Sequence, residues 1–240
     1  REFEGFLLNE YESCGTGKPR SLNTISTNMT LMRTVCNWVR KQGVTNNDPF
    51  FGYDMPKALY GTPYFLTIQE RDQVLDADLT DDAELAEYRD MFVFQCMVGC
   101  RHSDLVTFTP KNIIDGVLEY IPIKTKGKLG DVVRVPLIPK AMAILDGHDH
   151  GDDEPIFPQH YNFKFNDAIR RILKRAKVNR VVTVINPKTR LEEKKPISDV
   201  ATSHLARRTF IGNLYRMVKD PDLVASMSGH AKGSVAFARY

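Results

Sequence analysis

The chain has 240 residues, 42% hydrophobic and 26% charged, with a net charge of +3 and a pI near 8.6. That mixture supplies one large core or two modest ones and excludes a disordered chain. The slight basicity fits a phosphate-bearing partner without requiring one, and no apolar run reaches the roughly 20 residues that span a bilayer. Cys14, Cys36, Cys96 and Cys100 form neither a disulfide framework nor a paired CxxC zinc pattern. Cys96 and Cys100 stand in an apolar stretch and read as buried free thiols, which points to a reducing compartment. The first residues, Arg1-Glu2-Phe3-Glu4, are charged and unlike a signal peptide. There is no initiating Met, so a fragment or processed chain located in the cytoplasm is expected.

From Leu22 to Gly43 the apolar residues Leu22, Ile25, Met29, Met32, Cys36 and Val39 draw one stripe down a helix, with Gly43 as its stop. Asn28, Arg33, Arg40 and Lys41 lie off the stripe, on a solvated or phosphate-facing side. The segment Asn46 to Pro56 is rich in turn formers and reads as a linker. A second unit begins near Phe65, where Thr67 and Glu70 form a capping box for a short helix. A longer helix runs from about Asp82 to Val98 and ends at Gly99. Between Asn112 and Leu137 the pattern turns to β: Asp115-Gly116 signals a tight turn, and Val117–Ile123 and Val132–Leu137 read as strands around a Lys-rich turn. Helical spacing returns at Phe165, Ala168, Ile169, Ile172, Leu173 and Ala176. A hairpin is expected over Val181–Ile197 around Asn186-Pro187, and from Ser203 short helices alternate with turns at Asp220-Pro221 and Gly229. The sum is a mainly α chain with a small β-sheet, an α+β catalytic domain over 57–240 behind a partial helical domain and linker over 1–56.

Four stretches stand out against this organisation. They are Gly99-Cys100-Arg101-His102-Ser103-Asp104-Leu105, Lys124-Thr125-Lys126-Gly127-Lys128, Ser203-His204-Leu205-Ala206-Arg207-Arg208-Thr209-Phe210, and Ser228-Gly229-His230 with Tyr240 ten residues on. Taken singly, each has an ordinary structural explanation. An Arg-x-x-Asp step makes a helix cap or surface ion pair, a Lys-rich turn is solvated, His-x-x-Arg arises by chance, and a terminal Tyr packs.

In this order and in these contexts the stretches resemble the tyrosine recombinase (phage integrase) family, whose pattern runs Arg, Lys, His-x-x-Arg, His or Trp, then Tyr. Gly99 to Leu105 is similar to the family's Gly-x-Arg-x-x-Glu/Asp-Leu box. Lys124-Thr125 resembles its hairpin lysine, Val133-Arg134-Val135-Pro136-Leu137 the strand that follows, and Met227-Ser228-Gly229-His230 the Gly-His step before the nucleophile. The likeness covers about Phe65 to Tyr240, and the wording of the boxes is nearest to integrases of Bacteroides-type mobile elements. Lys126 and Lys128 compete with Lys124 for the lysine position. The spacing from His230 to Tyr240 is one residue longer than the family's commoner one, which leaves Tyr215 as the other tyrosine to weigh.

The resemblance implies a site-specific recombinase that breaks and rejoins double-stranded DNA through a covalent 3′-phosphotyrosyl ester, working as a homo-oligomer, a tetramer on paired sites. The catalytic residues it implies are Arg101, Lys124, His204, Arg207, His230 and Tyr240, and their types suit the chemistry. Arginine forks match the non-bridging oxygens of a phosphate and keep their charge. A histidine three residues from Arg207 shares its helical face and titrates near neutrality, as an acceptor for the Tyr240 proton should. A lysine suits protonation of the departing 5′-oxygen, and His230 a hydrogen bond to the phosphate as its charge develops. Asp104, one turn beyond Arg101, would hold that arginine. Neither cofactor nor metal is called for: there is no P-loop and no carboxylate cluster of the kind that holds Mg²⁺. A type IB topoisomerase and a DNA-binding regulator that kept the fold without the chemistry are the competing readings, with a metal-dependent nuclease behind them.

Overall fold

The structure, a computed structural model, describes residues 2–9, 20–125, 132–148, 151–158, 162–230 and 237. In chain order it contains α1 (Glu2–Asn9), α2 (Leu22–Lys41), α3 (Ile68–Leu75), α4 (Ala83–Val98), α5 (His102–Leu105), β1 (Ile113–Ile114), β2 (Val117–Tyr120), β3 (Val133–Pro136), α6 (Pro139–Asp146), α7 (Asn162–Arg175), β4 (Val181–Ile185), β5 (Glu192–Pro196), α8 (Ile197–Val200), α9 (Ser203–Val218) and α10 (Pro221–Met227). The mainly α architecture with small sheets is the one expected from the sequence. The chain divides into two compact units, Arg1–Gly61 with Thr183–Lys194, and Thr62–Val182 with Lys195–Tyr240.

The first unit is built on α2. Ser21 caps the helix by accepting from the Thr24 N–H, and the Leu22 N–H, one of the donors a helix start leaves orphaned, reaches the Pro187 carbonyl at 3.2 Å. Pro187 lies at the tip of the β4–β5 hairpin, where the Asn186 carboxamide oxygen takes the N–H groups of Lys188 and Thr189. Arg190 in the same turn donates to the Lys57 carbonyl at 2.6 Å. A small core joins Leu7, Ile25, Met29 and Phe50, with Cys36, Tyr53 and Met55 packed against it. The expected stripe along α2 is only half buried. Ile25 and Met29 are buried, Leu22, Cys36 and Val39 are partly covered, and Met32 is 39% exposed; off the stripe, Leu31, Val35 and Trp38 are more exposed still. Periodicity identifies the apolar side of a helix but not whether anything covers it.

The second unit surrounds α4. Its side chains from Met91 to Val98 are all buried, as befits a helix enclosed on every side. The expected capping box is present, Thr67 accepting from the Glu70 N–H and Glu70 from the Thr67 N–H, and Asp82 caps α4 through the Leu85 N–H. Strands β1, β2 and β3 form an antiparallel sheet in that order. Asp115 and Gly116, both at positive φ, make its two-residue turn. Leu118 and Tyr120 face the core opposite Val135 and Val133. The strand expected to run to Ile123 ends at Tyr120, and Ile123–Thr125 is a 3₁₀ turn; Pro122 between them has no N–H to continue a ladder. The region after Ser203 opens with a sixteen-residue helix, α9, in place of the expected short one. Thr209 on α9 accepts the Leu66 N–H, Asn213 donates to the Leu66 carbonyl, and Gly212 lets the Phe65 ring lie where a Cβ would be 2.6 Å from it. These contacts fix α9 against the start of the unit. Helices α1, α6 and α8 were not anticipated from the sequence. Cys96 and Cys100 are free, buried thiols, and burial pushes both well above the usual thiol range; Cys14 lies outside the described residues.

Candidate active site

The site starts where α4 stops. Gly99 takes the left-handed conformation (φ 69°) that ends the helix, and a Cβ there would sit 2.2 Å from the Phe210 ring on α9. Only glycine meets both conditions. The turn presents the Gly99 carbonyl to Arg207, whose Nη1 donates to it at 2.8 Å. Gln95, one turn earlier and buried, donates to the Cys100 carbonyl at 3.0 Å, holding the chain as it leaves the helix. Arg101 follows in extended conformation at the start of α5. Its Nη1 is 4.0 Å from Asp104 Oδ2, at the limit of an ion pair. The nearer partner of the buried Asp104 is the Ile123 N–H, at 2.9 Å to Oδ1. Asp104 thus ties the arginine box to the 3₁₀ turn that carries Lys124, as well as lying beside Arg101.

Helix α9 contributes His204 and Arg207 from one face. His204 is exposed, whereas Arg207 is 2% exposed and is the largest of the fully buried side chains. A cleft of about 500 Å³ opens between α4–α5 and α9, lined among others by Gln95, Arg101, His102, Asn162, His204 and Arg207. A buried guanidinium stays charged, so the floor of the cleft is cationic and suited to an anion.

His230 reaches this floor from α10. The helix ends in a Schellman motif, with Gly229 N–H bonded to the Ser226 carbonyl, His230 N–H to the Ala225 carbonyl, and Gly229 at φ 62°. A Cβ on Gly229 would come within 3.1 Å of Val133 and 3.3 Å of Pro122, so the Gly-His step is set by packing against the sheet as well as by its φ. Arg207 Nη2 lies 3.2 and 3.3 Å from the two ring nitrogens of His230, Ser228 Oγ is 2.8 Å from Nδ1, and the Phe237 ring centroid is 5.4 Å from that of the imidazole. Burial, and then the charges of Arg207, Arg101 and His204, push His230 down to about 3 from its ordinary 6.5. The imidazole is therefore neutral at physiological pH.

The structure brings Arg101, His204, Arg207 and His230 together. Lys124 is exposed on its turn and does not line the cleft. Lys126, Lys128 and Tyr240 lie outside the described residues. Tyr215, 39% exposed on α9, is not among the cleft residues. Sequence reading missed Gln95, which looked like one more residue of a buried helix, and Ser228, whose only signal was its place before Gly-His. Among the described residues, no three His, Cys, Asp or Glu side chains are arranged to hold a metal ion, and no helix is long and apolar enough to cross a membrane.

Comparison with solved structures gives the same fold. A lambda integrase dimer bound to a COC′ core site is similar with a TM-score of 0.60 and 15% identity, over 91% of this chain and 71% of that one. XerH site-specific recombinase bound to difH matches at 0.59 and 18%, over 96% and 63%. A lambda integrase tetramer bound to a Holliday junction matches at 0.58 and 15%, over 90% and 58%. No curated protein matches the chain. The fold is the one these recombinases share. The model of the phage integrase family matches residues 64–240, and the chain belongs to that family.

Proposed function

We propose that the chain recombines double-stranded DNA at specific sites, with Tyr240 as nucleophile and Arg101, Lys124, His204, Arg207 and His230 as the groups that assist it. The observation that carries this reading is the convergence of Arg101, His204 and Arg207 on one cationic cleft, with His230 against Arg207. In the reaction, the Tyr240 oxygen bonds to the scissile phosphorus and its proton passes to His204. The bond to the 5′-oxygen breaks, and that oxygen takes a proton from Lys124. Arg101 and Arg207 bind the non-bridging oxygens, where negative charge accumulates. The phosphotyrosyl ester retains the energy of the broken bond, so a 5′-hydroxyl from another strand can reverse the step. Asp104, through the Ile123 N–H, sets the base of the turn from which Lys124 works.

The helical unit adds phosphate contacts of its own to the duplex, a homotetramer assembles on paired sites, and the cytoplasm is where it works. The test is a nicked duplex carrying the element's end sequence, incubated with EDTA and resolved on a denaturing gel beside the Tyr240→Phe variant. A covalent protein–DNA band that disappears in the variant supports the reading. A band that survives moves the nucleophile, with Tyr215 next in line, and DNA binding without any band favours a regulator. Relaxation of plasmid lacking a recognition site would favour a topoisomerase.

A further inference from the structure

Ser228 stands next to the cleft and has no part in the chemistry described above, yet it is fully buried, with 0% exposure. Its hydroxyl makes three short polar contacts: 2.7 Å to the Val224 carbonyl, 3.1 Å to the Ala225 carbonyl and 2.8 Å to His230 Nδ1. A hydroxyl has one proton. Carbonyl oxygens only accept, so an oxygen–oxygen separation of 2.7 Å requires that proton to point back into α10. Ser228 Oγ then has only lone pairs to offer the imidazole. The contact at 2.8 Å is therefore a hydrogen bond donated by His230 Nδ1–H. A neutral imidazole carries one ring proton, which leaves Nε2 bare. Arg207 Nη2 is equally close to both ring nitrogens, 3.2 Å from Nδ1 and 3.3 Å from Nε2, so it lies over the ring and not along either in-plane lone pair.

We propose that Ser228 is a positioning residue that fixes His230 as the Nδ1–H tautomer, so that Nε2 is left as the ring's one acceptor beside the Arg207 guanidinium where the phosphate is bound. The inference deepens the proposed function and rests on it for the role of His230. When a phosphate engages the guanidinium, its negative charge favours a charged ring against burial, the largest cause of the lowering, and against the charges of Arg207 and Arg101. Nε2 is then free to take a proton and donate to a phosphate oxygen. In the opposite tautomer Nε2 would already carry a proton, and Nδ1 would face the Ser228 oxygen with a lone pair against lone pairs. Orienting one ring nitrogen through a hydrogen bond at the other is the general means by which proteins set a histidine's role. Here the device comes from the end of a helix. Ser228 is the C-cap of α10 and His230 the second residue beyond it, so the same Schellman turn places both.

The experiment is imidazole nitrogen NMR on the ¹⁵N-labelled full chain, with the His230 signals assigned by their loss in His230→Gln. Wild type is compared with Ser228→Ala, in parallel with the rate of covalent complex formation on nicked duplex. The expected result is an Nδ1–H spectrum in wild type, a shift towards Nε2–H in Ser228→Ala, and a loss of rate on the order of tenfold. Ser228→Cys, which keeps the shape but is a weak acceptor, should fall between them, and it replaces the alanine variant if that one gives no cooperative melt. An Nε2–H spectrum in wild type overturns the proposal. So does a tautomer that is unchanged when Ser228 is replaced, whatever happens to the rate, because a purely structural serine would lower stability without moving the proton. If wild type forms no covalent complex, the proposed function fails while the spectrum still decides the tautomer.

Discussion

Arg207 is the residue on which most of the site depends. Its guanidinium is buried, one arm is spent on the Gly99 carbonyl, and the other rests on His230. Lysine at this position would keep the charge but lose the fork, so it could not hold the carbonyl and clamp a phosphate together. Arg207→Lys is expected to reduce covalent complex formation on the order of 10²-fold, with DNA retention in gel shifts altered far less; equal losses in the two assays would contradict the clamp. His230 provides a second prediction, in pH. Its folded-state value of about 3 lies below the ordinary 6.5. Between those values the unfolded chain binds a proton there that the folded chain refuses, so stability rises with pH across that window and levels off above it. Thermal melts from about pH 4 to 8 should show this rise, and His230→Gln should flatten it. Parallel curves for the two proteins would remove His230 as a cause.

At the scale of elements, the site is made of endings. Gly99 ends α4, Arg101 starts α5, and Gly229 ends α10. Backbone groups left unpaired at helix ends bind the functional side chains or are satisfied by local turns. The most exacting of these endings is Gly99, because left-handed backbone and contact with Phe210 coincide. Gly99→Ala should cost ~2–4 kcal/mol, combining strain at positive φ with overpacking against a ring on a fixed helix. Urea unfolding would measure it, and a loss below 1 kcal/mol would mean that α9 yields. The element reading from sequence succeeded where local chemistry decides: the Thr67–Glu70 box and the Asp115-Gly116 turn are as expected, and Asp82, the expected start of α4, caps it. It failed at α6, short and opened by Pro139 without a side-chain cap.

For the whole molecule, the division into two units is not a division of the sequence. The chain passes between them at Gly61, at Val182 and at Lys194, because the β4–β5 hairpin belongs with the helical unit. The Pro187 carbonyl serves the first turn of α2 and Arg190 serves Lys57, so residues 1–61 alone lack part of their own unit. In a fragment of residues 62–240, amide exchange between Thr183 and Lys194 should accelerate severalfold relative to the full chain, while α4 amides stay as protected as before. Unchanged protection of the hairpin would show that it stands without its partners. DNA affinity should fall steeply with salt as phosphate contacts release counterions.

The sequence by itself determined what local rules and chemical type can determine. It set the caps and turns, the buried run of α4, and the identity of the arginines and histidines a phosphate would need, since each of these rests on neighbours within a few residues or on a residue's own chemistry. Only the tertiary structure decided which of those groups meet. Gly99 and Arg207 are 108 residues apart and Arg207 and His230 are 23 apart. Their contact depends on α4 packing along α9 and on α10 closing against the sheet, which no periodicity records. The same holds for Asp104, whose better partner proved to be the Ile123 N–H, and for Ser228, whose hydroxyl acquires a meaning only when the imidazole is folded back onto it. Long-range packing chooses among the partners that local chemistry makes available.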